Sequence, residues 1–215
     1  MILSKGKLLL FLISICWTGS VWAQGYRIEV EIQGGGNDTL ILGEHFTSRM
    51  VPKDTIILDH QGAGIFEGTE ALSGGLYLMY LDPQHYFDFL LGDDQELQVR
   101  ADKNKLPQSV AFQGSEDNRV FLEYKNFLQQ KRKEQQEVQN SLNSQSTAAD
   151  TLAAVERQKE LNSEMETYMD RIGSEHAGLF VADFINATRE PFPPESMLTG
   201  DRRHDDSIRS VSYTH

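Results

Sequence analysis

Cysteine is nearly missing from this chain: Cys16 is the one instance among 215 residues. It lies inside an amino-terminal leader, so the mature chain has no thiol, no disulfide and no cysteine ligand for a metal. Cysteine catalysis is thereby excluded. Positive charge is also scarce. Lys and Arg total 20 against 32 Asp and Glu, a formal charge of −12, and losing Lys5 and Lys7 with the leader makes it −14. No basic stripe interrupts this excess, so phosphate backbones and anionic lipid surfaces are repelled, and neither nucleic acid binding nor membrane association is expected. After the leader no apolar run is long enough to cross a bilayer as a helix. A Gly-x-Ser-x-Gly nucleophile motif does not occur, and the six histidines sit at turns, helix starts or the tail.

What is present begins with that leader. Lys5 and Lys7 precede the apolar run Leu8 to Trp17, and Val21-Trp22-Ala23 places small or medium residues where a signal peptidase reads them. Residues 1–23 therefore read as a secretory signal peptide, cleaved between Ala23 and Gln24. A lipoprotein would instead begin at an acylated Cys16. That requires a small residue before it, and Ile15 is bulky. The expected location is the periplasm or cell envelope. About 190 residues remain, enough for one or two domains.

From 24 to 114 the chain reads as short strands. Tyr26, Ile28, Val30 and Ile32 alternate with charged residues, the mark of a half-buried strand. Gly34-Gly35-Gly36-Asn37 reads as a hairpin turn with the returning strand at 38–43. Further strands are expected at 54–59, 65–69, 76–81, 85–91, 96–101 and 110–112, divided by Gly and Asp-Pro turns. Strands 76–81 and 85–91 are apolar on both faces, which places them centrally, joined by Asp82-Pro83-Gln84. The expected fold is an antiparallel all-β sandwich followed by an α-helical hairpin, α+β overall.

The period changes after Gly114. Ser115 caps a helix with Glu116 and Asp117 in its first turn and Phe121, Tyr124 and Leu128 as its apolar stripe, with Phe127 beside it. Polar residues 140–149 read as a loop or frayed end. Asp150 is the expected cap of a second helix bearing Leu161, Met165, Tyr168 and Ile172, with Gly173 as its stop and Ser174 starting a third. Residues 115–195 thus form a helical spacer. Residues 196–215 are a polar tail without a core of its own, expected to be the truncated start of a further segment.

The chemical motifs are weak. Gly34-Gly35-Gly36 precedes a strand rather than a helix, so it is a turn and not a phosphate loop. Asp93, Asp94 and Glu96, with Asp82, His85 and Asp88 nearby, offer carboxylates for glycoside hydrolysis, yet paired aspartates after Gly92 are ordinary turn residues. His85 and Asp88 point to opposite faces of a strand and do not share a metal. His204-Asp205-Asp206 has ligand atoms but no rigid element, and Arg202 and Arg203 oppose a cation. No catalytic, cofactor or metal residue is assigned. Tyr77, Tyr80 and Tyr86 could stack on sugar rings, or simply fill a core.

Asp38-Thr39-Leu40, Asp54-Thr55-Ile56, Asp150-Thr151-Leu152 and Asp206-Ser207-Ile208 share one pattern. It resembles an O-glycosylation site that some Gram-negative bacteria use on exported proteins, which would modify Thr39, Thr55, Thr151 and Ser207. The other reading is that Asp-Thr simply opens strands and helices.

Three further stretches carry a family resemblance: Asp54-Thr55-Ile56 leading to Gly64-Ile65-Phe66-Glu67-Gly68, then Phe112-Gln113-Gly114-Ser115-Glu116-Asp117-Asn118, then Leu179 to Ile185 with Glu190-Pro191-Phe192-Pro193-Pro194-Glu195. Residues 25–195 resemble the amino-terminal β module and helical spacer of envelope thioredoxin-like proteins of the Bacteroidetes type. In that family the spacer leads to a thioredoxin domain with Cys-x-x-Cys, a disulfide reductase or isomerase centre. Those positions do not exist in this chain, so no catalytic residue is carried over. The resemblance implies a non-catalytic accessory region that engages a protein partner or a carboxy-terminal redox domain. The alternatives are a stand-alone periplasmic module for glycans or peptides and, more distantly, a carboxylate hydrolase.

Overall fold

The computed structural model describes residues 25–46, 49–142 and 146–189. Eight strands come first: β1 (Tyr26–Gln33), β2 (Thr39–Phe46), β3 (Arg49–Ile57), β4 (Ala63–Gly68), β5 (Gly75–Asp82), β6 (His85–Leu91), β7 (Glu96–Asp102) and β8 (Ala111–Gln113). Three helices follow: α1 (Glu116–Ser141), α2 (Ala148–Glu175) and α3 (Phe180–Ala187). The strands make two four-stranded sheets, ordered β4-β1-β7-β8 and β3-β2-β5-β6. All pairs are antiparallel except β1 with β7. The fold is thus a sandwich followed by helices, α+β, as the alternation implies.

Between the sheets, alternate residues of each strand meet. Ile28, Val30 and Ile32 of β1, Leu40 and Leu42 of β2, Phe66 of β4, Met79 of β5, Phe87 and Phe89 of β6, and Val99 of β7 form one buried cluster. Burying an aliphatic or aromatic side chain of this size is worth about 1.5–3 kcal/mol, so this layer dominates the stability of the β part.

Two expectations need correction. Gly34–Asn37 does not make a hairpin: β1 and β2 belong to different sheets. Gly34 at φ 81° and Asn37 at φ 64° turn the chain across the sandwich, where the Asn37 amide donates to Asp59 O at 3.1 Å. Nor is β6 central, since it is a sheet edge. It is apolar on both faces because helices cover its outer side. Leu90 packs there with Val120, Phe121, Ile172, Val181 and Ile185 in a second buried cluster. The short Asp82-Pro83-Gln84 connection from β5 to β6 is as expected.

The helices also depart from expectation in detail. The Ser115 cap of α1 is present, its hydroxyl accepting from Asn118 N. The cap of α2 is Thr147, however, and Asp150 is its reciprocal partner: Asp150 N–H donates to Thr147 Oγ1 at 3.2 Å and Thr147 N–H to Asp150 Oδ2 at 2.7 Å. Gly173 stays within α2, which runs on to Glu175, and α3 begins at Phe180 rather than Ser174. Helices α1 and α2 are antiparallel. Phe127 stacks on Tyr168 with centroids 3.8 Å apart and planes 6° from parallel. Further out, buried Lys131 pairs with Glu134 and Glu164, and Arg157 closes the group through Glu134 at 2.9 Å.

Candidate functional site

The joint between sandwich and helices is built from the stretch around Gly114. Gly114 adopts φ 83°, a left-handed turn that swings the chain from β8 into α1. Ser115 caps the helix, and Asn118, one turn later and fully buried, faces the open edge of β6. Leu90 N–H donates to Asn118 Oδ1 at 2.8 Å, and Asn118 Nδ2 donates to Leu90 O at 2.7 Å. Beside it, Asp117 Oδ1 accepts from Val181 N at 2.8 Å and so caps α3, whose own N-cap residue Leu179 makes no side-chain bond. Burial pushes the Asp117 carboxyl above the ordinary carboxylate range. The Val181 amide opposes this, and the charges of Asp94, Asp93 and Glu116 add to it. The sequence expectation placed Asp117 only in a first helical turn and gave Asn118 no role beyond the resemblance.

The two outer faces of the sandwich differ. On the first sheet, Arg27 pairs with Glu29 at 3.1 Å and Glu67 at 2.6 Å, Arg100 with Glu31 at 3.1 Å, and Gln98 Nε2 donates to Glu29 at 3.1 Å. This face is a solvated charge lattice over a shallow depression that also includes Asp59. Exposed pairs of this kind contribute little stability.

On the second sheet the register aligns one row without formal charge and a second that ends in Asp88 and is buried at Gly43 and Leu78. Thr55, Ile41, Tyr80 and Tyr86 stand in one row across β3, β2, β5 and β6, and Pro52, Gly43, Leu78 and Asp88 in the next. Thr39 and Ile57 pair beyond the first row, with Ile57 75% and Tyr86 47% exposed. The helices cover only the Leu90 end of this face. At the boundary, His45 Nε2 lies 2.9 Å from Asp88 Oδ1, a contact that crosses β5. Lys125 Nζ donates to Asp88 O at 3.4 Å and lies 5.2 Å from the Phe121 ring centre. Burial lowers the Lys125 ammonium pKa, with the Asp88 charge opposing.

The tyrosines therefore part company. Tyr77 is in the core at 0% exposure, its hydroxyl donating to Ser73 O at 2.8 Å, so it is no stacking residue. Tyr80 is half-buried and Tyr86 exposed, and they are cross-strand neighbours on the open face. Thr39 and Thr55 are exposed on that same face, while Thr151 is exposed on α2 with its hydroxyl bonded to Thr147 O at 3.1 Å. His85 binds Asp82 at 2.8 Å, on a different strand end from the His45–Asp88 pair. Asp93 and Asp94 are exposed after β6 and reach Asp117 only through their charge. Among the described residues no group of three or more His, Cys, Asp or Glu is placed to hold a metal ion, and no helix is long and apolar enough to cross a membrane. The expected leader with Cys16, the expected Ala23–Gln24 cleavage pair, Ser207 and the His204-Asp205-Asp206 group lie outside the described residues.

No family model matches this chain, and neither does any curated protein. Among solved structures it is similar to (S)-allantoin synthase, at 11% identity and a TM-score of 0.31, over 43% of this chain and 44% of that one. It is similar also to the Klebsiella pneumoniae 5-hydroxyisourate hydrolase, at 11% identity and a TM-score of 0.28, over 41% of this chain and 96% of that one. At those scores neither likeness carries any chemistry over to this chain.

Proposed function

We propose that this chain is a non-catalytic accessory region of an exported, thioredoxin-like envelope protein, placing a redox domain or engaging its client. The observation that carries the reading is the joint at Gly114, Ser115 and Asn118. These residues belong to the stretch that resembles the family's passage from β module to spacer, and each has a mechanical task there. A buried clamp of this kind fixes the direction of a two-helix arm relative to the sandwich, which suits a positioning element. The acid and base groups named here suit that reading, because they are engaged structurally: His45 with Asp88, His85 with Asp82, Glu44 with Lys53 and Ser73.

Reading the coding sequence beyond His215 tests the proposal. An in-frame Cys-x-x-Cys within about 150 further residues, one domain's length, is expected. A stop codon directly after His215 overturns it and favours a stand-alone binding module.

A further inference from the structure

The Thr55-Ile41-Tyr80-Tyr86 row on the second sheet, which has no formal charge, contrasts with the charge lattice on the first, because an outer face left to solvent normally carries charges. Apolar and aromatic groups with hydroxyls at their margin, and charge kept to the rim, are the composition of a contact surface. Its dimensions narrow the occupant. Four strands about 4.8 Å apart and two open rows about 7 Å apart give a patch on the order of 100 Å². A stable protein dimer needs about 800 Å² from each partner, so the patch is too small to hold a second copy by itself.

Charge narrows it further. No ionisable group stands in the Thr55-Ile41-Tyr80-Tyr86 row except the tyrosine phenols, and the ionisable groups that flank it on β5, β6 and β2 are paired with each other, His45 with Asp88 and His85 with Asp82. A charged ligand would be desolvated here without a counter-ion. A neutral ring-bearing ligand meets no such penalty. The C–H face of a pyranose lies flat on an aromatic ring, and its edge hydroxyls need donors and acceptors alongside. Tyr80 and Tyr86 supply adjacent rings, and Thr39, Thr55 and Asp88 supply the polar edge.

We propose that the open outer face of the second sheet binds a neutral oligosaccharide along Ile41, Tyr80 and Tyr86, with Thr39, Thr55 and Asp88 taking its hydroxyls. This goes beyond the accessory role and is independent of it, since one test reads a coding sequence and the other a ligand. The mature chain labelled with ¹⁵N is titrated by NMR with cellohexaose, xylohexaose, mannohexaose and laminarihexaose. At least one of the four shifts the amides of Ile41, Tyr80 and Tyr86. Tyr86→Ala weakens that binding at least tenfold at unchanged Tm. Ile57→Asp, at an exposed position, weakens it at least threefold. The proposal is overturned if none of the four sugars shifts this patch, if the shifts fall elsewhere, or if Tyr86→Ala binds as the native chain does. Sugar-free shifts of the patch that grow with protein concentration, with a dimer in sedimentation, would assign it to a second copy and overturn the proposal too.

Discussion

Asn118 does for Leu90 what a neighbouring strand would do: its amide takes the Leu90 N–H at 2.8 Å and answers the Leu90 carbonyl at 2.7 Å. A helix side chain thereby completes the edge of a sheet. The bond pair also explains how α1 approaches β6 closely without burying unpaired backbone groups.

Removing that amide exposes the cost. Asn118→Ala leaves the buried N–H and C=O of Leu90 without partners, each worth about 1–3 kcal/mol. A loss of about 2–4 kcal/mol in urea unfolding is expected, with faster hydrogen exchange at Leu90 and unchanged exchange at Val30. Equal acceleration at both amides would mean that the clamp is not local.

Gly114 is the hinge of the same joint. At φ 83° an alanine is strained, and its Cβ would lie 3.1 Å from Glu96 O. Gly114→Ala is expected to cost about 1–2 kcal/mol by thermal or urea denaturation.

Asp117 gives a pH signature of definite sign. Its carboxyl is raised by burial, so between the unfolded value of about 3.9 and the higher folded value the native state holds the extra proton. Native stability from this group is therefore lost as pH rises through that window and stays level above it. In Asp117→Asn the side-chain amide does not titrate, and its oxygen can still accept from Val181. The stability of this variant relative to the native chain should accordingly grow from pH 4 to pH 7. Carboxylates with lowered values, such as Glu44 and Asp59, have the opposite sign but are common to both chains and cancel in the difference. A difference that shrinks toward neutral pH would refute this assignment.

The arm depends on one stacked pair. Tyr168→Ala removes the Phe127 contact and its buried area, an expected loss of about 1–3 kcal/mol. Exchange should rise most in residues 130–141 and 148–160, beyond the stack, where the two helices meet through Lys131, Glu134, Arg157 and Glu164. Protection of the sandwich should not change.

Most strands were legible because alternation has a period of two and the stretches between them carry Gly, Asp or Pro; residues 49–53 of β3 were not, since Thr47 and Ser48 ahead of them give no such signal. Their partners were not. Nothing local distinguishes Gly34–Asn37 as a crossing between sheets from the same residues as a hairpin, because the difference lies in Asp59, which is far along the chain. β6 reads as central since a sequence shows that both faces are apolar without saying whether a sheet or a helix covers the second. Ser115 was visible as a cap from its own neighbours. Asp117 as the cap of α3 was not, for its acceptor role depends on Val181, 64 residues away.

One consequence concerns growth of the second sheet. Its β6 lip is plugged at Leu90 by a helix side chain. The opposite lip, β3, carries Pro52, which has no amide proton to offer an added strand. Each margin of this sheet is therefore interrupted as a template for another chain, one by a helix amide and the other by an imide nitrogen.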